Sequence, residues 1–76
     1  MSVAKKVKGL LSVNNKDMAG LAESLGISKQ ALANKFYRDS FTPSDLIIVA
    51  DYVGASLAFL SADGSTVVFG RDDLKP

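Results

Sequence analysis

Seventy-six residues, 47% of them hydrophobic, contain neither cysteine nor histidine; this limits the chain to one small domain and removes disulfides, thiolate nucleophiles and the commonest zinc ligands. The formal charge of +1 conceals a division: residues 1–38 carry a net +5 and residues 39–76 a net −4, so one half is suited to face a polyanion and the other is not. No apolar run approaches the roughly 18 residues of a membrane span, and the missing cysteines fit a reducing cytoplasm.

The opening "MSVAKKVKGLLSV" interrupts its apolar patch with charge and reads as an amphipathic helix rather than a signal peptide. Val3, Val7, Leu10 and Leu11 fall at i, i+4, i+7 and i+8, one helical stripe, with Lys5, Lys6 and Lys8 off it. Gly9 costs on the order of 1 kcal/mol relative to alanine; it either permits close packing or lets the helix fray early. Asn14 and Asn15 mark a turn. Asp17 then caps a second helix whose inward face is Met18, Leu21, Ala22 and Leu25. Gly26 ends that helix in a left-handed conformation. Ile27 follows as a buried plug, and Ser28 caps a third helix that turns Ala31, Leu32 and Phe36 inward.

"TPSD" at residues 42–45 is a helix start, with Thr42 as cap, Pro43 in the first position and Asp45 reaching back as in a capping box. Leu46, Ile47, Val49, Ala50 and Val53 fill this fourth helix, and Gly54 ends it. The period then changes to two. "SLAFLSADGSTVVFG" alternates around Asp63-Gly64, a dipeptide suited to a two-residue hairpin turn with positive φ at both central positions. Leu57 and Phe59 share a face, with Val67 and Phe69 opposite them, and the polar tail over 71–76 reads as loose. The expected fold is mainly α: four short helices over 1–54 with a central helix-turn-helix, then a C-terminal β-hairpin over 55–70.

Two helices joined through "LGIS", each with a core face, describe a helix-turn-helix. Gly26 lets the chain turn sharply and small Ala22 lets the helices approach. Once Leu32 and Phe36 are buried, Lys29, Gln30, Ala33, Asn34 and Tyr37 point outward. Glutamine and asparagine carry paired donor and acceptor groups suited to an adenine edge in the major groove. Ala33 leaves room for a thymine methyl, and Lys29 can reach guanine or phosphate. Glutamate and lysine would serve mere solubility better, so this face is suited to reading base edges.

The motif "LAESLGISKQAL", with Leu21-Ala22, Leu25-Gly26-Ile27 and Leu32 at its key positions, resembles the lambda-repressor-like helix-turn-helix of the phage repressor and Cro class, also called the xenobiotic-response-element (XRE) family. The resemblance covers residues 16–54. It implies base contacts from Lys29, Gln30, Ala33 and Asn34, and phosphate contacts from Lys16, Ser28, Lys35 and Arg38. Two positions depart from the family pattern. Met18 stands where a glutamine often clamps a phosphate. Lys35 replaces an apolar residue, with Phe36 taking over its packing; a slight rotation of the third helix would follow, so that Asn34 and Lys35 could exchange base and backbone roles. The hairpin is similar to the dimerising strands of Cro in architecture only.

These features point first to a cytoplasmic, sequence-specific regulator that binds double-stranded DNA and represses by blocking promoter access. Such a regulator is expected to act as a homodimer, with Ala58, Leu60 and Val68 on an otherwise exposed hairpin face as the interface. The competing class is an antitoxin-like module whose hairpin or acidic half binds a protein partner. Enzymatic activity is not expected: Ser12 and Ser24 have no histidine to activate them. No cofactor is expected either, and Asp72 and Asp73 read as a solvated tail rather than a metal site.

Overall fold

The computed structural model of the chain describes residues 2–74. Four helices, α1 (Val3–Val13), α2 (Met18–Leu25), α3 (Lys29–Arg38) and α4 (Pro43–Val53), precede two strands, β1 (Leu57–Leu60) and β2 (Thr66–Phe69), and a 3₁₀ turn, Arg71–Leu74. Every α-helix begins on a side-chain cap. Ser2, Asp17, Ser28 and Thr42 accept from the N–H groups of Lys5, Gly20, Ala31 and Asp45, each satisfying a donor that the helix leaves unpaired. At Thr42 the box is reciprocal, because Asp45 Oδ2 accepts from the Thr42 N–H at 3.0 Å. Gly26 and Gly54 end α2 and α4 with φ of 70° and 75°, where a Cβ would be strained.

Val7, Leu11, Leu21, Ala22, Leu32, Val49 and Val53 form the buried core, one or two residues from each helix. Its centre is Leu21, fully buried. In α1 the stripe differs from the expected one. Ala4, Val7 and Leu11 face inward, while Val3 and Leu10 remain 43% and 39% exposed. The helix is rolled because small Ala4 lets its start close on the end of α3, where Asp39 Oδ1 accepts the Ala4 N–H at 2.7 Å. Met18, expected on the inward face of α2, is at the surface, and Ile27 is only half-buried against the core.

The two glycines inside helices serve different ends. A Cβ on Gly9 would meet nothing, so close packing does not explain that residue. A Cβ on Gly20 would overlap the Tyr52 hydroxyl and lie 2.8 Å from Tyr52 Cζ. Gly20→Ala is therefore expected to destabilise the fold by about 1–3 kcal/mol through overpacking, despite alanine's higher helix propensity. In a Tyr52→Ala background the same change should become neutral or stabilising. Urea melts of the two single variants and the double variant check the pair, and equal effects in both backgrounds would rule out the clash.

The hairpin pairs Leu57 with Phe69, Ala58 with Val68, Phe59 with Val67 and Leu60 with Thr66, antiparallel and in the expected facing. Its turn is not the two-residue type. Ser61 N–H donates to the Ser65 carbonyl at 2.8 Å and Gly64 N–H to the Ser61 carbonyl at 3.0 Å, which leaves a three-residue loop over 62–64. Gly64 has a φ of 91°, while Asp63 is not in the positive-φ region. Asp63 Oδ1 instead accepts the backbone N–H and hydroxyl of Ser65, at 3.0 and 2.7 Å. The turn thus follows the three-residue pattern that ends in a glycine bulge.

The segment after the hairpin is also not loose over Arg71–Leu74. Asp73 accepts the Gly70 N–H at 2.8 Å, and Arg71 Nε meets Asp51 Oδ2 at 2.7 Å, which lays the 3₁₀ turn against α4. Lys75 and Pro76, the remainder of the expected loose tail, lie outside the described residues.

Candidate nucleic-acid interface

Helix α3 is anchored on one side only. Leu32 is 2% exposed, and Phe36 packs on the core edge-to-face with Phe41, ring centroids 5.0 Å apart. With that side fixed, Lys29, Gln30, Ala33, Asn34 and Tyr37 all lie at the surface, Tyr37 at 89% exposure. Gln30 Nε2 donates to Asn34 Oδ1 at 3.4 Å across one helical turn. The contact aligns the two amides along the helix and leaves the Gln30 oxygen, its second N–H and both Asn34 N–H donors without a partner among the described residues. That is the donor and acceptor chemistry a base edge requires.

The cations divide into different settings. Lys16, just before the cap of α2, and Arg38, the last residue of α3, are exposed, and Ser28, also exposed, caps α3 at its start. The Lys16 ammonium stands 5.4 Å from the centroid of the Tyr52 ring, within cation–π range. The Tyr52 hydroxyl in turn lies 3.2 Å from the Asp17 carbonyl and 3.3 Å from Asp17 Oδ1, linking α4 to the cap of α2. The Gly20 N–H, and after it the Tyr52 hydroxyl, hold the Asp17 carboxyl below its ordinary range. Nothing in the sequence pattern singled out Tyr52; its spacing from Val49 and Val53 marked only a helix turned toward a core.

Lys35 behaves differently from the other cations. Its ammonium lies 2.8 Å from Asp45 Oδ2, with the two side chains only 24% and 15% exposed. The lysine turns inward and ties α3 to the capping box of α4. Asn34, beside it, is exposed. Burial pushes the Asp45 carboxyl up, but the Lys35 ammonium and the Thr42 N–H together outweigh it and hold the group below 3.8. A depressed carboxyl stabilises the fold fully above the unfolded-state value and loses that contribution as pH falls through the folded-state value. Stability measured by urea melts at stepwise lower pH should therefore drop below about pH 4. Asp45→Asn should start lower and show a shallower acid limb, the remainder coming from Asp17 and Asp63, which are also depressed. An acid limb unchanged in that variant would remove the Lys35–Asp45 pair as its cause.

At the start of α3 a groove of about 410 Å³ opens between α1, α2 and α3, with Lys29 and Ala33 on one wall and Lys8 on the other. Lys8 lies off the apolar stripe with Lys5 and Lys6, and its helical angle relative to Val7 and Leu11 is the sequence signal that separates it from them. On the hairpin Ala58, Leu60 and Val68 are exposed as expected, Leu60 at 77% and Val68 at 58%. The other face is open as well: Phe59 and Val67 are 70% and 55% exposed.

Among the described residues, no group of three or more acidic, histidine or cysteine side chains could hold a metal ion, and no helix is long and apolar enough to cross a membrane. Residues 10–66, more than half of the chain, match the family model described as the bacteriophage CI repressor helix-turn-helix domain. No curated protein and no solved structure matches the chain.

Proposed function

Because the chain belongs to the bacteriophage CI repressor helix-turn-helix family, a family of DNA-binding regulators and not of enzymes, we propose that it is a cytoplasmic repressor that reads a specific duplex site with α3. The observation that carries this reading is the outward pair of amides, Gln30 and Asn34, bonded to each other on a helix anchored by Leu32. Lys29, Ala33 and Tyr37 extend the same face, and Lys16, Ser28 and Arg38 flank it as phosphate contacts. Lys35 is assigned to the scaffold, since its ammonium is spent on Asp45. Residues 1–54 bind DNA in this reading, and the hairpin over 55–70 joins two copies.

Selecting bound duplexes from random DNA tests it. One enriched palindrome is expected, with an affinity that falls steeply as salt rises because lysines and Arg38 release counterions from phosphates. Neutralising Lys16 or Arg38 should weaken binding to all sequences alike and flatten the salt slope by roughly 1 for each phosphate no longer held. No enriched sequence, together with a binding constant indifferent to salt, would refute the proposal. The exposed apolar hairpin supports a second reading, an antitoxin-like module whose hairpin binds a different protein. A toxin-like gene beside this one would favour it, and an inverted repeat upstream of the gene favours the repressor.

A further inference from the structure

The lysines of α1 do not share one environment. Successive helical residues turn by about 100°, so Lys8 continues the surface from Ala4 and Leu11 toward α2 and α3, whereas Lys6 falls on the opposite flank. The grooves agree with that division. Lys8 lines the opening beside Met18, Ala19, Lys29 and Ala33. Lys6 lines a separate one, between α1 and α4, with Leu10, Leu46 and Leu57.

The first groove has an apolar floor that includes Met18, Leu32 and Phe36, with Lys8 and Lys29 at its sides. Among the described residues the ion pairs are Lys35–Asp45 and Arg71–Asp51, so neither Lys8 nor Lys29 is engaged in one. The charge of Lys29 reaches Asp17, but that carboxylate already accepts from Gly20 and Tyr52. A DNA backbone has the complementary chemistry, with sugar carbons to lie on an apolar floor and phosphate oxygens to meet the cations. Lysine suits the rim because its stem covers apolar surface while its head stays in water. We propose that this groove seats a sugar–phosphate segment beside the base edges read by Gln30 and Asn34, with Lys8 and Lys29 on its neighbouring phosphates; the proposal rests on the DNA-binding reading above. Lys29 is thereby given to phosphate rather than guanine, and α1 becomes part of the DNA-binding surface. A backbone contact here fixes the register of α3 without itself choosing sequence.

The test compares Lys8→Gln with Lys6→Gln, two exposed positions on the same helix whose variants should keep the wild-type melting curve. Binding to the selected duplex is measured from 50 to 200 mM salt. Lys8→Gln should lower the slope of log K against log salt by about 1.8, one phosphate contact in each of the two copies on the palindrome, so that its affinity falls roughly 12-fold less than wild type over that range. Lys6→Gln should leave the slope unchanged. A set of duplexes, each with one phosphate replaced by a neutral methylphosphonate, then locates the contact: one position in each half-site should weaken wild type but not Lys8→Gln. Equal slope changes in both variants, or none in Lys8→Gln, would overturn the groove assignment while leaving DNA binding in place. Salt-independent binding by wild type would overturn the underlying reading and the groove with it.

Discussion

Replacing Gln30 or Asn34 by alanine is expected to weaken binding to the selected duplex by roughly 1–3 kcal/mol and to relax preference at one base position for each. Nonspecific binding should barely change, because neither amide carries charge. The double variant should lose nearly all sequence preference, yet cost less than the sum of the two single changes. The two amides are bonded to each other at 3.4 Å, so removing one already frees the other from its orientation, and contacts that share a partner are not additive. Competition between the selected duplex and random duplex, repeated for the three variants, measures both effects. Wild-type preference in both single variants would mean that α3 presents a different set of residues to the groove.

The local grammar of the helices was legible because it is written in neighbouring residues. All three sequence-assigned caps, Asp17, Ser28 and Thr42, accept where a cap should, and Gly26 and Gly54 end their helices. The outward face of α3 was legible for the same reason: burying Leu32 and Phe36 leaves few orientations for Gln30 and Asn34. What could not be read depends on distant partners. The roll of α1 is set by Asp39, thirty-five positions away from the Ala4 N–H it binds. Lys35 looks like a free cation until the capping box of α4 brings Asp45 against it. Gly20 looks like a flaw in a helix until Tyr52 arrives from α4 to occupy the space. At the hairpin, Asp63-Gly64 correctly marked the turn, but the bonds from Ser65 to Asp63 select the longer loop.

Leu60→Asp is expected to break a homodimer that forms through the hairpin and, with it, most specific DNA binding. A two-stranded hairpin is marginal in water by itself, and this one is covered only at its base. Phe59 and Phe69 meet edge-to-face at 5.6 Å, and the base of the hairpin adjoins Pro43, Leu46 and Ile47 of α4. Farther out, Phe59, Leu60, Val67 and Val68 remain 55–77% exposed. The strands carry no charged residue to keep them apart from another copy, and a lone two-stranded sheet leaves both edges unpaired. A two-fold mate would cover these side chains and one edge. It would also present two copies of α3 to successive major grooves about 34 Å apart, which requires a palindromic site. A carboxylate buried in that interface without a partner costs several kcal/mol, at least a hundredfold in the dimer constant. Sedimentation equilibrium at micromolar concentration should give the mass of two chains for wild type and of one for Leu60→Asp, with the helical circular dichroism of α1–α4 retained. One chain for wild type at every concentration would defeat the dimer. A dimer that survives Leu60→Asp would place the contact elsewhere, and the groove of α1 and α4 lined by Val3, Leu10 and Leu46 is the next apolar surface available to it.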